Sequence, residues 1–111
     1  MPMLTRLEHG ANTTLAVVAT DADLTRDEAL RVAIMAHDGY ARAIRPVHTP
    51  FDGDTVFVLA NGRHKLRGAR AGWVARLGAM AADCVARSIG RAVVHAESAG
   101  RFESWRARFG R

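Results

Sequence analysis

The stretch Asn12-Thr13-Thr14-Leu15-Ala16-Val17-Val18-Ala19-Thr20-Asp21 organises the rest of the sequence. From Thr13 to Thr20 it is β-branched and almost continuously apolar. That is the pattern of a strand covered on both faces, since a strand with one wet face alternates apolar and polar residues. The residues before it, Gly10-Ala11-Asn12, are small and turn-prone. After it, Asp21, Asp23 and Thr25 supply turn and N-cap chemistry, and Asp27 and Glu28 fall in the first turn of a helix.

That helix is expected over residues 26–44. Leu30, Ile34, His37 or Asp38, and Ala41 recur at helical spacing, with Ala29, Ala33 and Ala36 allowing close packing. Pro46 should end it, because the residue before a proline avoids the α region. The segment Pro46 to Asp54 holds two prolines, a glycine and two acids, and reads as a shaped loop. Thr55 to Ala60 is a second strand, closed by the Asn61-Gly62 turn signal. Arg63, Lys65, Arg67 and Arg70 form an exposed basic stretch. Residues 71–96 are the longest helical pattern, with Trp73, Leu77, Met80, Ala81, Cys84, Ser88, Ala92 and Val93 on one face. The order strand, helix, loop, strand, helix defines an α/β (α+β) chain. Two strands fall short of the three or so that an independent sheet needs. The first is also too apolar for an open edge, so partner strands are expected from another polypeptide segment.

Composition bounds the reading. At 111 residues the chain makes one domain at most. Its 49% apolar content predicts a core. No apolar run reaches the roughly 20 residues of a membrane span. Met1 to Asn12 carries Arg6, Glu8 and His9 and no apolar core of signal-peptide length, which gives a cytoplasmic location as the expectation. Cys84 is the single cysteine, so neither an intrachain disulfide nor a thiolate metal cluster is available. Charge is uneven. Residues 1–61 hold five arginines against eight acids, a net of −3, while residues 62–111 hold eleven basic residues against three acids, a net of +8. This asymmetry fits nucleic acid, or equally an acidic protein surface on which the basic half packs.

Two features carry potential chemistry. A threonine hydroxyl is a weak nucleophile unless a base takes its proton. An N-terminal threonine supplies that base itself, because an α-amine has a pKa near roughly 7.7–8.0. For Thr13 to act so, the Asn12–Thr13 bond must first break, by attack of the Thr13 hydroxyl on the Asn12 carbonyl and hydrolysis of the resulting ester. A Thr-Thr pair before an apolar run is, by spacing alone, ordinary strand sequence. The second feature is Phe51-Asp52-Gly53-Asp54. Its two acids can orient an amine or hydroxyl, raise each other's pKa, or simply cap a solvated turn.

Resemblance narrows these alternatives. The stretch Asn12 to Asp21, the run Met35 to Phe57 (with His37-Asp38-Gly39-Tyr40 and Phe51-Asp52-Gly53-Asp54) and Ala81 to Ile89 resemble, in order, the small subunit of the P1-family peptidases. This S58 or DmpA-like family includes β-peptidyl and D-aminopeptidases and endo-type 6-aminohexanoate-oligomer hydrolases. The resemblance implies a precursor that self-cleaves between Asn12 and Thr13. Residues 1–12 would be the remnant of the preceding segment and 13–111 the small-subunit portion. The small piece would stay bound to a larger one in an αββα sandwich resembling Ntn hydrolases, within an oligomer, a tetramer of heterodimers in the complete enzyme. It implies Thr13 as the catalytic nucleophile, with Asp52 and Asp54 as the acidic pair near it. The acidic pair tilts the resemblance toward the oligomer-hydrolase branch. No cofactor and no metal are implied, and the substrate is a peptide or peptide-like amide. The family's large piece supplies further site groups, and nothing in this chain matches them. Alone, the chain is expected to be inactive.

Other readings remain. The histidines His9, His37, His48, His64 and His95 lack metal-site spacing, and His48 is of interest as a loop anchor. Cys84 reads as a buried structural thiol and Asp83–Arg87 as a helix-surface pair. The basic stretch with Trp73, and Phe102 to Arg106, admits a small nucleic-acid-binding protein. A non-catalytic remnant that packs into an oligomer is the third alternative.

Overall fold

The computed structural model describes residues 12–110. The lead segment and its expected turn at Gly10-Ala11 lie outside the described residues, apart from Asn12. The elements are β1 (Leu15–Ala22), α1 (Arg26–Ala36), α2 (Asp38–Ala43), β2 (Thr55–His64), α3 (Arg70–His95) and α4 (Trp105–Phe109).

β1 and β2 pair in parallel, from Leu15 opposite Thr55 to Thr20 opposite Ala60. A parallel pair requires a crossover between its strands, and α1 and α2 provide it. The inward side chains Ala16, Val18, Val56 and Val58 meet a core of Val32, Ala36, Tyr40, Val74, Ala81 and Val85 from the helices. The outward face carries Leu15, Val17, Phe57 and Leu59, 55–65% exposed. Covering on both faces was the expectation for the first strand. Within the described residues the helices cover one face, and the sequence is apolar on the other as well.

β2 runs four residues past Ala60, the expected end of the strand. Asn61-Gly62 forms a bulge here, where Ala22 comes to lie opposite His64. Gly62 takes φ 73°, and the Asn61 side chain accepts the Arg63 N–H at 3.0 Å. The dipeptide therefore supplies the left-handed residue its sequence signals, but within a strand.

The single helix expected over 26–44 is two segments meeting at His37. The Tyr40 N–H bonds the His37 carbonyl at 3.0 Å, a tighter step than an α-helical one. The adjustment lays Gly39 directly on α3. A Cβ at Gly39 would run into the Ala82 carbonyl oxygen and come within 2.8 Å of the Val85 Cβ. Thr25 caps α1 through a capping box with Glu28, as its sequence predicts.

α1 turns a different side inward from the one its large apolar residues favour, and the inward side of α3 keeps Leu77 and Ala81 of the expected face but not Met80 or Cys84. α1 buries Val32 and Ala36 and leaves Leu30 60% exposed. α3 buries Val74, Gly78, Ala81, Ala82 and Val85. Met80 and Cys84, expected on the buried face, are exposed. Small residues set this choice by allowing close helix–helix approach, as at Gly78, where a Cβ would meet the Met35 Cβ at 2.9 Å. Asp83 pairs with Arg42 of α2 at 2.6 Å, in place of the expected partner Arg87.

Arg70, expected in the exposed basic stretch, is held at the head of α3. Its guanidinium forks onto Glu28 (2.8 and 2.9 Å) and donates to the Asp23 carbonyl at 2.8 Å. A cation at a helix N-terminus opposes the helix dipole, and this bidentate pair offsets that cost. The Arg70 fork, aided by the Thr25 amide, holds the Glu28 carboxyl down at about 2.

Two predictions follow from this packing. Gly39→Ala should cost about 1–3 kcal/mol by overpacking against α3. Gly90→Ala, facing open space, should be neutral or stabilising by up to about 1 kcal/mol. Equal thermal midpoints for the two variants would contradict the contact. Because the Glu28 pKa is depressed on folding, its contribution is complete above its ordinary 4.5 and is lost as pH falls toward about 2. Glu28→Gln should flatten the acid limb of a stability–pH profile in that window, and an unchanged limb would refute the assignment.

Candidate functional site

The parallel ladder extends beyond the named strands and builds the site. Asn12 donates its N–H to the Phe51 carbonyl (3.2 Å), and its own carbonyl accepts from the Gly53 N–H (2.7 Å). The Thr14 carbonyl accepts from the Thr55 N–H at 3.0 Å. Residues 12–14 thus lie beside residues 51–55, about forty positions later in the chain. Asn12 and Thr14, flanking Thr13, are both fixed, while Thr13 itself is exposed. Gly53 stands against the Thr13 hydroxyl, and a Cβ at Gly53 would lie 3.2 Å from Thr13 Oγ1. The structure therefore brings Thr13 and the Asp52-Gly53-Asp54 turn together.

The two acids play different parts. Asp52 accepts the Thr49 N–H at 2.8 Å and donates its own N–H to the Thr49 carbonyl, which closes the loop turn. The Asp54 side chain is only 4% exposed and is shared by two segments. Its Oδ1 accepts the Thr14 N–H at 3.0 Å. Its Oδ2 accepts from the His48 N–H at 3.3 Å and pairs with His48 Nδ1 at 2.8 Å. Burial, the largest single influence, pushes the Asp54 pKa up. The Thr14 and His48 amides and the His48 ring outweigh it, and the net direction is down. Of the alternatives open in sequence, mutual raising by the pair does not describe Asp54, which is held as a carboxylate.

His48 anchors the loop. It is the non-glycine residue with positive φ among the described residues, at 56°. Such a conformation costs on the order of 1 kcal/mol for a residue with a Cβ. Its ring packs 5.1 Å from His37 and 5.8 Å from Tyr40, centroid to centroid.

Tyr40 is the residue that sequence reasoning passed over. It is fully buried, and its hydroxyl reaches the Thr55 carbonyl at 2.8 Å and the Thr14 carbonyl at 3.2 Å. It therefore bridges the two strands at the foot of the site. Burial pushes its pKa up, reinforced by the Asp54 charge, so it remains a neutral donor. The available signal was the four-residue stripe Val32, Ala36, Tyr40, an alternative to the Leu30–Ile34 face.

An open groove of about 510 Å³ runs along β1 from Thr14 to Ala19, walled by Tyr40, Ile44, Val85 and Ile89 and bordered by Cys84. Among the described residues, no three His, Cys, Asp or Glu side chains cluster as metal ligands, and no helix is long and apolar enough to cross a membrane. Of the aromatic groups near the basic stretch, the Trp73 indole N–H is engaged by the Arg67 carbonyl at 2.8 Å.

Comparison with known proteins agrees with the resemblance to family S58. The description of peptidase family S58 matches residues 2–106. The chain is 44% identical over 107 residues to an uncharacterized aminopeptidase of Mycobacterium bovis, covering 88% of this chain and 31% of that protein. It is 47% identical over 96 residues to an uncharacterized aminopeptidase of Mycobacterium leprae, covering 78% of this chain and 26% of that protein. The chain belongs to peptidase family S58. It spans about a third or less of the length of these curated relatives.

The Tyr40 bridge is directly testable. Tyr40→Phe keeps the packing but removes the donor to two strand carbonyls, and should lower stability by about 1–2 kcal/mol in urea denaturation. A variant as stable as the parent would show that the hydroxyl contributes no net stability.

Proposed function

We propose that this chain is the small-subunit portion of a self-processing amide hydrolase with an N-terminal threonine nucleophile, acting on peptide or peptide-like amides. The observation that carries the reading is that Thr13, an exposed residue, has its hydroxyl against Gly53, between two residues pinned by the strand ladder. The family and the aminopeptidase names of its relatives agree with this class of substrate.

In this reading the Thr13 hydroxyl first attacks the Asn12 carbonyl. The acyl group passes from nitrogen to oxygen, which frees the Thr13 amine, and water then hydrolyses the ester to release the Asn12 carboxylate and restore the Thr13 hydroxyl. That amine then serves as base while the hydroxyl attacks the substrate carbonyl. An acyl-ester forms, the substrate amine leaves with a proton, and water releases the acid. Asp52 and Asp54 hold the frame: the first closes the loop turn and the second fixes the amide that follows Thr13.

The rest of the machinery is assigned to a larger polypeptide piece. The outward apolar face of Leu15, Val17, Phe57 and Leu59 supports a second sheet packing there, as an αββα sandwich requires. Oxyanion donors would come from that piece, and they are often the largest catalytic contribution. The chain alone is therefore inactive in this reading, and the complete enzyme is an oligomer of paired large and small pieces.

Intact-mass analysis tests this most simply, with the chain expressed alone and beside the remaining portion of a mycobacterial relative. A fragment beginning at Thr13, absent from Thr13→Ala, is expected in the complex. Gly53→Ala should slow its appearance by up to about 100-fold, because its methyl displaces the hydroxyl. An intact wild-type chain in the assembled complex would reject self-processing.

A further inference from the structure

We propose that His48 is a positioning residue for Thr13, acting through Asp54; this rests on Thr13 being the nucleophile. The chain of contacts is short. His48 Nδ1 and the His48 amide both meet Asp54 Oδ2, at 2.8 and 3.3 Å. The other oxygen of the same carboxylate holds the Thr14 N–H at 3.0 Å. A carboxylate has one plane, so fixing one oxygen aims the other. Thr14 is bonded directly to Thr13, and the Thr14 carbonyl is fixed from below by Tyr40 and Thr55. The ring of His48 therefore controls the side-chain acceptor that holds this amide among the described residues.

The arrangement is costly for a mere loop residue. The backbone of His48 lies at φ 56°, where glycine or asparagine sits with less strain. The ring packs against His37 and Tyr40 on one side, with 40% of the side chain exposed. A carboxylate only accepts hydrogen bonds, so the Asp54 partnership places a proton on Nδ1. A ring with its proton directed at a nearly buried carboxylate is the geometry of an orienting group, and the histidine need not touch substrate. The Asp52 carboxylate is engaged with the Thr49 amide in the same loop and does not replace it.

The backbone conformation itself separates this role from loop stability. His48→Gly keeps the amide donor and relaxes the backbone while removing the ring. His48→Asn also tolerates this φ and returns a side-chain N–H donor. Amide hydrogen exchange at Thr14 is measured by NMR in the full chain, with Val32 of the core as reference. In the complex used for self-processing, the rate of release of the fragment beginning at Thr13 is measured for the same variants. His48→Gly should exchange at Thr14 about tenfold or more faster, with Val32 unchanged, and should slow fragment release by a similar factor. His48→Asn should recover much of both. Unchanged exchange at Thr14 in His48→Gly would overturn the proposal, as would fast exchange with normal fragment release, or an asparagine variant no better than glycine. If the wild type releases no fragment at all, the self-processing reading falls, while the exchange data still decide whether the ring holds the Thr14 amide.

Discussion

The parallel pairing of residues 12–16 with 52–56 is the constraint on which the rest depends. Parallel strands cannot be joined by a tight turn, so the intervening segment must climb over the sheet and return. α1 and α2 do this, and the same crossover delivers Tyr40 beneath the strands and the Asp52–Asp54 turn beside Thr13. Fold and site have a single origin: the register that buries Val56 opposite Ala16 also sets Gly53 against the threonine hydroxyl.

The site is built mainly from backbone groups, with side chains used to hold them. Asp54 binds an amide of each segment, Tyr40 reaches a carbonyl of each strand, and Asp52 closes the turn between them. Such contacts order the segment on both sides of Thr13 while leaving Thr13 an exposed residue. Preorganisation of this kind lowers the entropy cost of reaching a reactive geometry. At the other end of the sheet, the Arg70–Glu28 fork ties the start of α3 to the start of α1. The two ends are thus held by different means, hydrogen bonds at the site and an ion pair opposite.

The sequence made the element order, the Thr25 cap, the end of the helical segment before Pro46 and the membership in family S58 legible. Local chemistry decides the first three, and family membership was read from resemblance. It did not reveal which helix faces point inward. Leu30, Ile34 and Met80 draw the eye as core residues, yet close approach through Ala36, Gly39, Gly78 and Ala82 wins over side-chain size. The same contest explains the exposed Cys84 and the division of the first helix at His37. Asn61-Gly62 was legible as a conformation but not as a context, because a left-handed glycine serves a bulge as well as a hairpin. At the site, Thr13, Asp52 and Asp54 were named from resemblance, and His48 was marked as an anchor. Tyr40 stayed hidden because a buried tyrosine in a helix looks like core until its hydroxyl partners are known.

Trapping the covalent intermediate decides whether the hydroxyl at position 13 is the nucleophile. The complex would be mixed with an activated anilide of a short peptide, quenched in acid within the first turnover and mapped by mass spectrometry. An acyl ester on Thr13, at the new N-terminus of the small piece, is the expected result. Turnover with the acyl group on another residue, or with no covalent adduct while product accumulates in a burst, would contradict it.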